Sequence, residues 1–337
     1  MRLIPILLFF VILFNSCNDC GGDGNSGESD LIYFSARENV NSAFTTFLFD
    51  PSSLFVDPII ENSKIFGFLD GNILYKTSNE ESDSLMIHIE SNSSSVFLFE
   101  GLSNISIDDV FSNIEFSKAY FIGDPITIYQ TDQFGNLKVI SSNAITNYGL
   151  DVSADGKVGI IENTNGQLVI SIFDGDGNQM VSTLLNNPII EELNSITWDG
   201  DQRNLIYSLK SGDGSTVYRT RIDGFTQELF SVFGQRVTKP FFVNENIIGY
   251  YNLDNRSINI RNLSNGEDKL LIQIQPNEVI SHLNWSHNQN RLIITVNNLN
   301  QEYSDILYFD FNILTENEVL VSEPSLLINN GFRAFSK

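Results

Sequence analysis

Cysteine is nearly absent from the 337 residues: only Cys17 and Cys20 occur, both close to the amino terminus. No disulfide framework can therefore hold the rest of the chain, which must rely on packing and hydrogen bonding. Proline (8) and methionine (3) are scarce beside 26 phenylalanines, and a core drawn from Phe, Ile, Leu and Val favours strands. Basic residues are few, 19 against 42 acidic ones, for a net charge of −23. Such a surface excludes nucleic acid and bare anionic lipid as natural partners. Long apolar runs are missing too. The longest, Leu3 to Phe14, has twelve residues, whereas a membrane-spanning helix needs about 20. After residue 16 no segment carries a convincing 3.6-residue amphipathic period, which leaves a helical solenoid without support.

What is present begins with the amino terminus. Met1-Arg2, the apolar run and then Asn15-Ser16-Cys17 make a charged start, a short hydrophobic stretch and a small residue before a cleavage point. Leu13-Phe14-Asn15-Ser16-Cys17 resembles a bacterial lipobox, with Phe14 where leucine is the commoner residue, and the whole resembles lipoproteins of the Bacteroidetes. The resemblance implies a removable signal over 1–16, diacylglycerol on Cys17, and anchoring in the outer membrane on the cell surface or the periplasmic face. Losing residues 1–16 removes Arg2 and no acidic residue, so the mature charge is about −24. Residues 17–30 contain no apolar side chain to bury apart from the cysteines themselves and read as a flexible lipidated tether. Residues 31–337 read as one domain.

An internal period organises that domain. Ser195-Ile-Thr-Trp198 through Leu205 and Ser281-His-Leu-Asn-Trp285 through Leu292 each place a leucine seven residues after the tryptophan, and the tryptophans lie 87 residues apart. This equals two periods of about 43. A third copy puts Val152 at the tryptophan position, and a fourth runs from Pro240 through Phe242 to Ile247.

The second half of each unit alternates apolar and polar residues on both sides of a turn, as β-hairpins do. Seven such hairpins can be placed: 45–56, 85–99, 126–140, 168–184, 217–230, 258–272 and 306–321, with turn residues such as Asp174-Gly-Asp176-Gly177 and Asp223-Gly224 at their centres. Their spacing suits four-stranded antiparallel blades, and the predicted fold is an all-β propeller of seven blades, or six because residues 59–121 align weakly. Leu31-Ile-Tyr-Phe34 looks like a second strand lacking an innermost partner, and 326–335 like the innermost strand it lacks. Their pairing would close the ring.

Trp198-Asp-Gly-Asp-Gln-Arg-Asn-Leu-Ile-Tyr-Ser, Val152-Ser-Ala-Asp-Gly-Lys-Val-Gly-Ile-Ile and Val217-Tyr-Arg-Thr-Arg-Ile-Asp-Gly resemble the repeats of TolB-like, WD-like propellers over roughly 152–320. Proline is absent from the turns, and the Asp-Gly pair of the repeat is intact only at Asp155-Gly156. The resemblance implies a cell-envelope binding or scaffolding module for a protein, peptide or glycan. It implies no ligand. Relatives with peptidase domains use a Gly-x-Ser-x-Gly elbow, and no such pentapeptide occurs here.

The residue constellations add little chemistry. Trp198 and Trp285 sit at repeat positions that predict packing between blades rather than a stacking platform. Asp174-Gly-Asp176-Gly-Asn178 starts like a calcium loop, but Gln179 and Leu185 stand where glycine and a bidentate glutamate belong, so a hairpin turn is expected. Asp199-Gly200-Asp201 reads as a turn between strands. His282 and His287 lack the further ligands that zinc requires, and His88 has no triad partner in view. No cofactor, metal or catalytic residue is assigned, and the binding residues are left open. The alternative function is a hydrolase or lyase whose carboxylates gather at the propeller funnel.

Overall fold

The computed structural model describes residues 31–38, 41–78, 83–100, 110–113, 116–124, 126–145, 150–185, 196–300 and 304–336. The predicted signal, Cys17 and the tether lie outside them. The described residues form a seven-bladed propeller of antiparallel sheets with a single 3-10 turn, Glu90–Asn92.

In chain order, blade 1 holds β1 (Ile32–Ala36), β2 (Thr45–Asp50) and β3 (Phe55–Ile60); blade 2 holds β4 (Ser63–Leu69), β5 (Asn72–Ser78), β6 (Asp83–Ile89) and β7 (Ser94–Glu100). Blade 3 holds β8 (Val110–Phe111), β9 (Lys118–Asp124), β10 (Thr127–Asp132) and β11 (Leu137–Ser141); blade 4 holds β12 (Asp151–Val152), β13 (Val158–Thr164), β14 (Gln167–Phe173) and β15 (Gln179–Leu184). Blade 5 holds β16 (Ile196–Trp198), β17 (Asn204–Ser211), β18 (Gly214–Arg221) and β19 (Thr226–Val232); blade 6 holds β20 (Val237–Asn244), β21 (Ile247–Asn252), β22 (Ser257–Asn262) and β23 (Asp268–Gln273). Blade 7 holds β24 (Glu278–Ser286), β25 (Arg291–Asn298), β26 (Ser304–Thr315), β27 (Glu318–Val321) and β28 (Ser325–Asn329), and the last strand, β29 (Gly331–Ser336), crosses to blade 1.

The repeat seen in the sequence is the turn between first and second strands. Val152 pairs with Val158, Trp198 with Leu205, Phe242 with Ile248 and Trp285 with Leu292, so the leucine seven residues after each tryptophan is its cross-strand partner. The seven predicted hairpins are the third and fourth strands, β2–β3 through β26–β27. Second strands are buried on both faces by neighbouring blades and read as continuous apolar runs, such as Ile247–Asn252 and Arg291–Asn298. Outer strands are exposed along much of their length, as in β15 and β23.

Seven hydrophobic clusters hold the described residues together, and each lies at one junction between adjacent blades. Trp285 of blade 7 stacks on Phe241 of blade 6 at 5.5 Å and meets Phe311 edge-on at 4.9 Å. Gly249 makes room for this arrangement, because a Cβ there would lie 1.9 Å from the Phe241 ring across the strand pair. Ring closure comes from β29 and β1, with Ile32 opposite Ser336 and Phe34 opposite Ala334. A buried ladder of hydroxyls fastens the closed blade to the next: Ser35 and Thr46 lie 3.0 Å apart, Thr46 and Ser63 2.6 Å apart, and the Ile65 N–H donates to Ser35 Oγ at 2.7 Å.

The C-terminal segment differs from expectation in one respect. Residues 326–335 are not one strand: the chain turns at Asn330, where φ is +57°. Residues 325–329 return to blade 7 against the first half of β26, while the second half of β26 pairs with β27. The twelve-residue β26 is long enough to serve both partners.

Two stability outcomes follow. Ending the chain at Asn330 removes the inner strand of blade 1 and exposes β1, and circular dichroism should then show no cooperative thermal transition; an unchanged melt would mean that closure does not depend on β29. Gly249→Ala should lower stability by about 1–3 kcal/mol in urea denaturation, the usual range for overpacking.

Candidate functional site

The inner strands of the ring are not equivalent. In blades 3, 4 and 5 they span two, two and three described residues and pair regularly. In blades 6, 7, 1 and 2 they span eight, nine, six and seven residues, and each is bulged. Lys239 and Pro240 oppose Tyr250, Ser281 is extra in blade 7, Phe332 and Arg333 oppose Ser35, and Phe66 is extra in blade 2. A bulge breaks the two-residue alternation and redirects a side chain. Lys239 adopts a φ of +50°, a conformation that costs an L-residue about 1–2 kcal/mol.

Beside these bulges lies a cavity of about 320 Å³, lined by Arg37, Lys64, Arg333, His282, Asn297 and Phe332 together with Phe44, Ser281, Ser304, Asn330 and Gly331. It opens where the inner strands begin, since Lys64 and Phe332 are each second in their strand and Arg37 follows the end of β1. No Asp or Glu contributes to the lining among the described residues.

Aromatic faces fix the cations. Arg37 lies 4.9 Å from the centre of the Phe44 ring, Lys64 5.0 Å from Phe44 and 5.2 Å from Phe332, and Arg333 4.9 Å from Phe66 and 5.0 Å from Phe332. Contacts of this kind attract a cation to the ring. His282 packs edge-on against Phe335 at 5.3 Å, and its Nδ1 is buried without a hydrogen-bond partner. Burial pushes its pKa well below the ordinary value, with the Arg333 and Lys239 charges adding, so the ring is neutral at neutral pH.

The other sequence-singled residues lie elsewhere. His287 Nδ1 accepts from the Trp285 indole at 3.1 Å, and its Nε2 lies 3.2 Å from the Trp198 carbonyl, linking blades 7 and 5 at the far end of the inner strands. The two histidines thus serve different ends of the ring, and the tryptophans are packed rather than presented. Trp198 donates from its indole to the Asp151 carbonyl at 3.0 Å and from its backbone to the Asp151 carboxylate at 2.8 Å. His88 contacts Ser95 at 3.2 Å within blade 2. The Asp174 carboxylate accepts the N–H groups of Asp176 and Asn178 at 3.0 and 2.8 Å, closing a hairpin turn, and these bonds, that of Asn178 first, hold its pKa below the usual range. Asp199 closes its turn similarly through Arg203, at 2.8 Å, and Asn204.

Sequence reasoning missed the cavity. Arg37, Lys64, Lys239 and Arg333 are scattered over the chain, and no local pattern announces a bulge.

No family model matches the chain, and no curated protein matches it. Solved structures do. A protein from Lactobacillus plantarum is 8% identical with a TM-score of 0.60, covering 92% of this chain and 100% of its own. Oligogalacturonate lyase in complex with manganese is 13% identical with a TM-score of 0.57, covering 79% and 82%. A TolB-type protein from Agrobacterium tumefaciens is 12% identical with a TM-score of 0.50, covering 74% and 89%. These similarities show the fold: the chain is a seven-bladed β-propeller with TolB-like propellers among its structural neighbours.

The Asp151 link sets a pH dependence. Burial pushes its carboxyl up to about 6, against the bonds from Trp198, Val152 and Thr197 that pull it down. A carboxyl with a raised folded pKa binds its proton more tightly in the folded state. Its contribution to stability is complete below the unfolded value near 3.9 and is lost as pH rises through about 6. Asp151→Asn should flatten that decline, which is at most about 3 kcal/mol for a shift of this size; denaturation midpoints between pH 4 and 7 measure it.

Proposed function

We propose that the chain is a cell-envelope lipoprotein, anchored in the outer membrane through lipid on Cys17, whose propeller is a non-enzymatic binding module for a protein, peptide or glycan. The observation that carries the binding role is the cavity at the start of the inner strands: a preformed polar recess with cations held on aromatic faces and no carboxylate in its described lining. Ligand sites are commonly concave and largely preformed in this way. The lipobox resemblance supports the anchor, and the TolB-like neighbours are consistent with a place in the envelope.

One observation favours an acid–base enzyme instead. Asp305 has a buried Oδ1 without a partner, and burial, followed by the charge of Glu278, raises its pKa. Neither carboxylate lines the cavity, and Glu278 is engaged by the Gln275 N–H at 2.8 Å. Turnover of a captured ligand would decide for this second reading.

The experiment uses the native producer, with the protein tagged after Lys337. Wild-type protein should partition with membranes and be shaved from intact cells by protease, while Cys17→Ser should appear in the soluble fraction. Soluble wild-type protein would overturn the anchor. A ligand recovered chemically altered would overturn the non-enzymatic role.

A further inference from the structure

Three cations from two adjacent blades line one recess and a fourth, on blade 6, acts on its histidine, in a chain whose net charge is −23. Lys64 comes from blade 2, Arg37 and Arg333 from blade 1, and Lys239 from blade 6, where its charge acts on His282 of blade 7. The overall field of such a protein repels anions, so a local positive recess selects by short-range contact. Two inner-strand bulges bring Ser281, Phe332 and Arg333 into the lining, and at a third the strained backbone of Lys239 is tolerated where its charge acts on His282. Strain at a binding site is a familiar cost of preorganisation.

The rest of the lining describes the ligand body. Asn297, Asn330, Ser281 and Ser304 bring polar side chains, with Ser281 Oγ donating to Asn297 Oδ1 at 2.9 Å, His282 adds a neutral imidazole, and no aliphatic side chain lines the recess among the described residues. An aliphatic acid would meet a mostly polar wall, with only the Phe44 and Phe332 rings to bury against. A polyhydroxylated ligand would find partners for its hydroxyls. A volume of about 320 Å³ holds roughly ten water-sized groups at about 30 Å³ each, which is the size of a monosaccharide.

We propose that this recess binds a monosaccharide-sized, polyhydroxylated ligand through one anionic group, a carboxylate or a phosphate, held by Arg37, Lys64 and Arg333. The proposal rests on the binding-module reading above. Guanidinium forks match both planar carboxylate and phosphate oxygens, and the aromatic contacts hold them in place before the ligand arrives.

The test is isothermal titration of the detergent-solubilised full chain with glucuronate, glucose 6-phosphate, glucose and inorganic phosphate, at low and at high salt. Glucuronate or glucose 6-phosphate should bind at least tenfold more tightly than glucose, and binding should weaken with salt; whichever of the two binds identifies the anion. Arg37→Gln should weaken that binding about tenfold, and Lys64→Gln likewise should Arg37→Gln fail to give a cooperative melt. Lys138→Gln, on the outer strand of blade 3, should change nothing. Equal binding of glucose, inorganic phosphate bound as tightly as glucose 6-phosphate, or no binding of any probe would overturn the proposal. The two readings fail differently. Retention of the protein on immobilised envelope glycan with none of the four probes binding would end this proposal and leave the module intact. Binding followed by a new product in the NMR spectrum would support the site and end the non-enzymatic reading.

Discussion

Everything in this fold depends on the antiparallel pairing of the last strand with the first. Each blade buries its apolar faces only against its neighbours, and seven clusters serve seven junctions. Without β29, blade 1 would lose its inner strand, Ala334 would leave the cluster it shares with Ile293 and Ile306, and β1 would present an open edge. The hydroxyls of Ser35, Thr46 and Ser63 satisfy one another at the neighbouring junction, where unpaired polar groups would be costly. With no disulfide available among the described residues, the chain closes its ring by hydrogen bonds and packing alone.

The same closure builds the recess. Arg333 and Phe332 belong to the strand that arrives last, Lys64 and Arg37 to elements formed by the earliest part of the domain, and His282 to the blade between. The recess therefore exists only in the closed ring. Its aromatic rings serve two purposes, since Phe332 both packs on Phe44 and Phe66 and orients the cations above it.

The architecture was readable in the sequence because propeller repeats are local. Trp198 and Leu205, or Trp285 and Leu292, face each other across one tight turn, so their spacing survives as a visible period. The hairpin turns were readable for a related reason: Asp174 and Asp199 satisfy the backbone within four or five residues, which demands particular side chains at particular places. Blades 2 and 3 were harder, because the extra Phe66 breaks the alternation of β4 and the inner strand β8 covers only two described residues. The break at Asn330 and the double pairing of β26 were not visible, since both halves of 325–336 have strand-like composition and only the ring decides which blade each joins. The site was illegible because its members are brought together by bulges and by closure, and neither leaves a motif.

Strand direction has a bearing on orientation. β29 runs from Gly331, beside the recess, to Ser336, which pairs with Ile32 at the start of β1. Both ends of the domain therefore emerge from the face opposite the recess. A lipid on Cys17, as proposed, would reach that face through residues 18–30, a stretch of thirteen residues that spans at most about 45 Å when extended. The lipid would then be attached on the side of the propeller away from the cationic mouth, leaving that mouth clear of its own anchor.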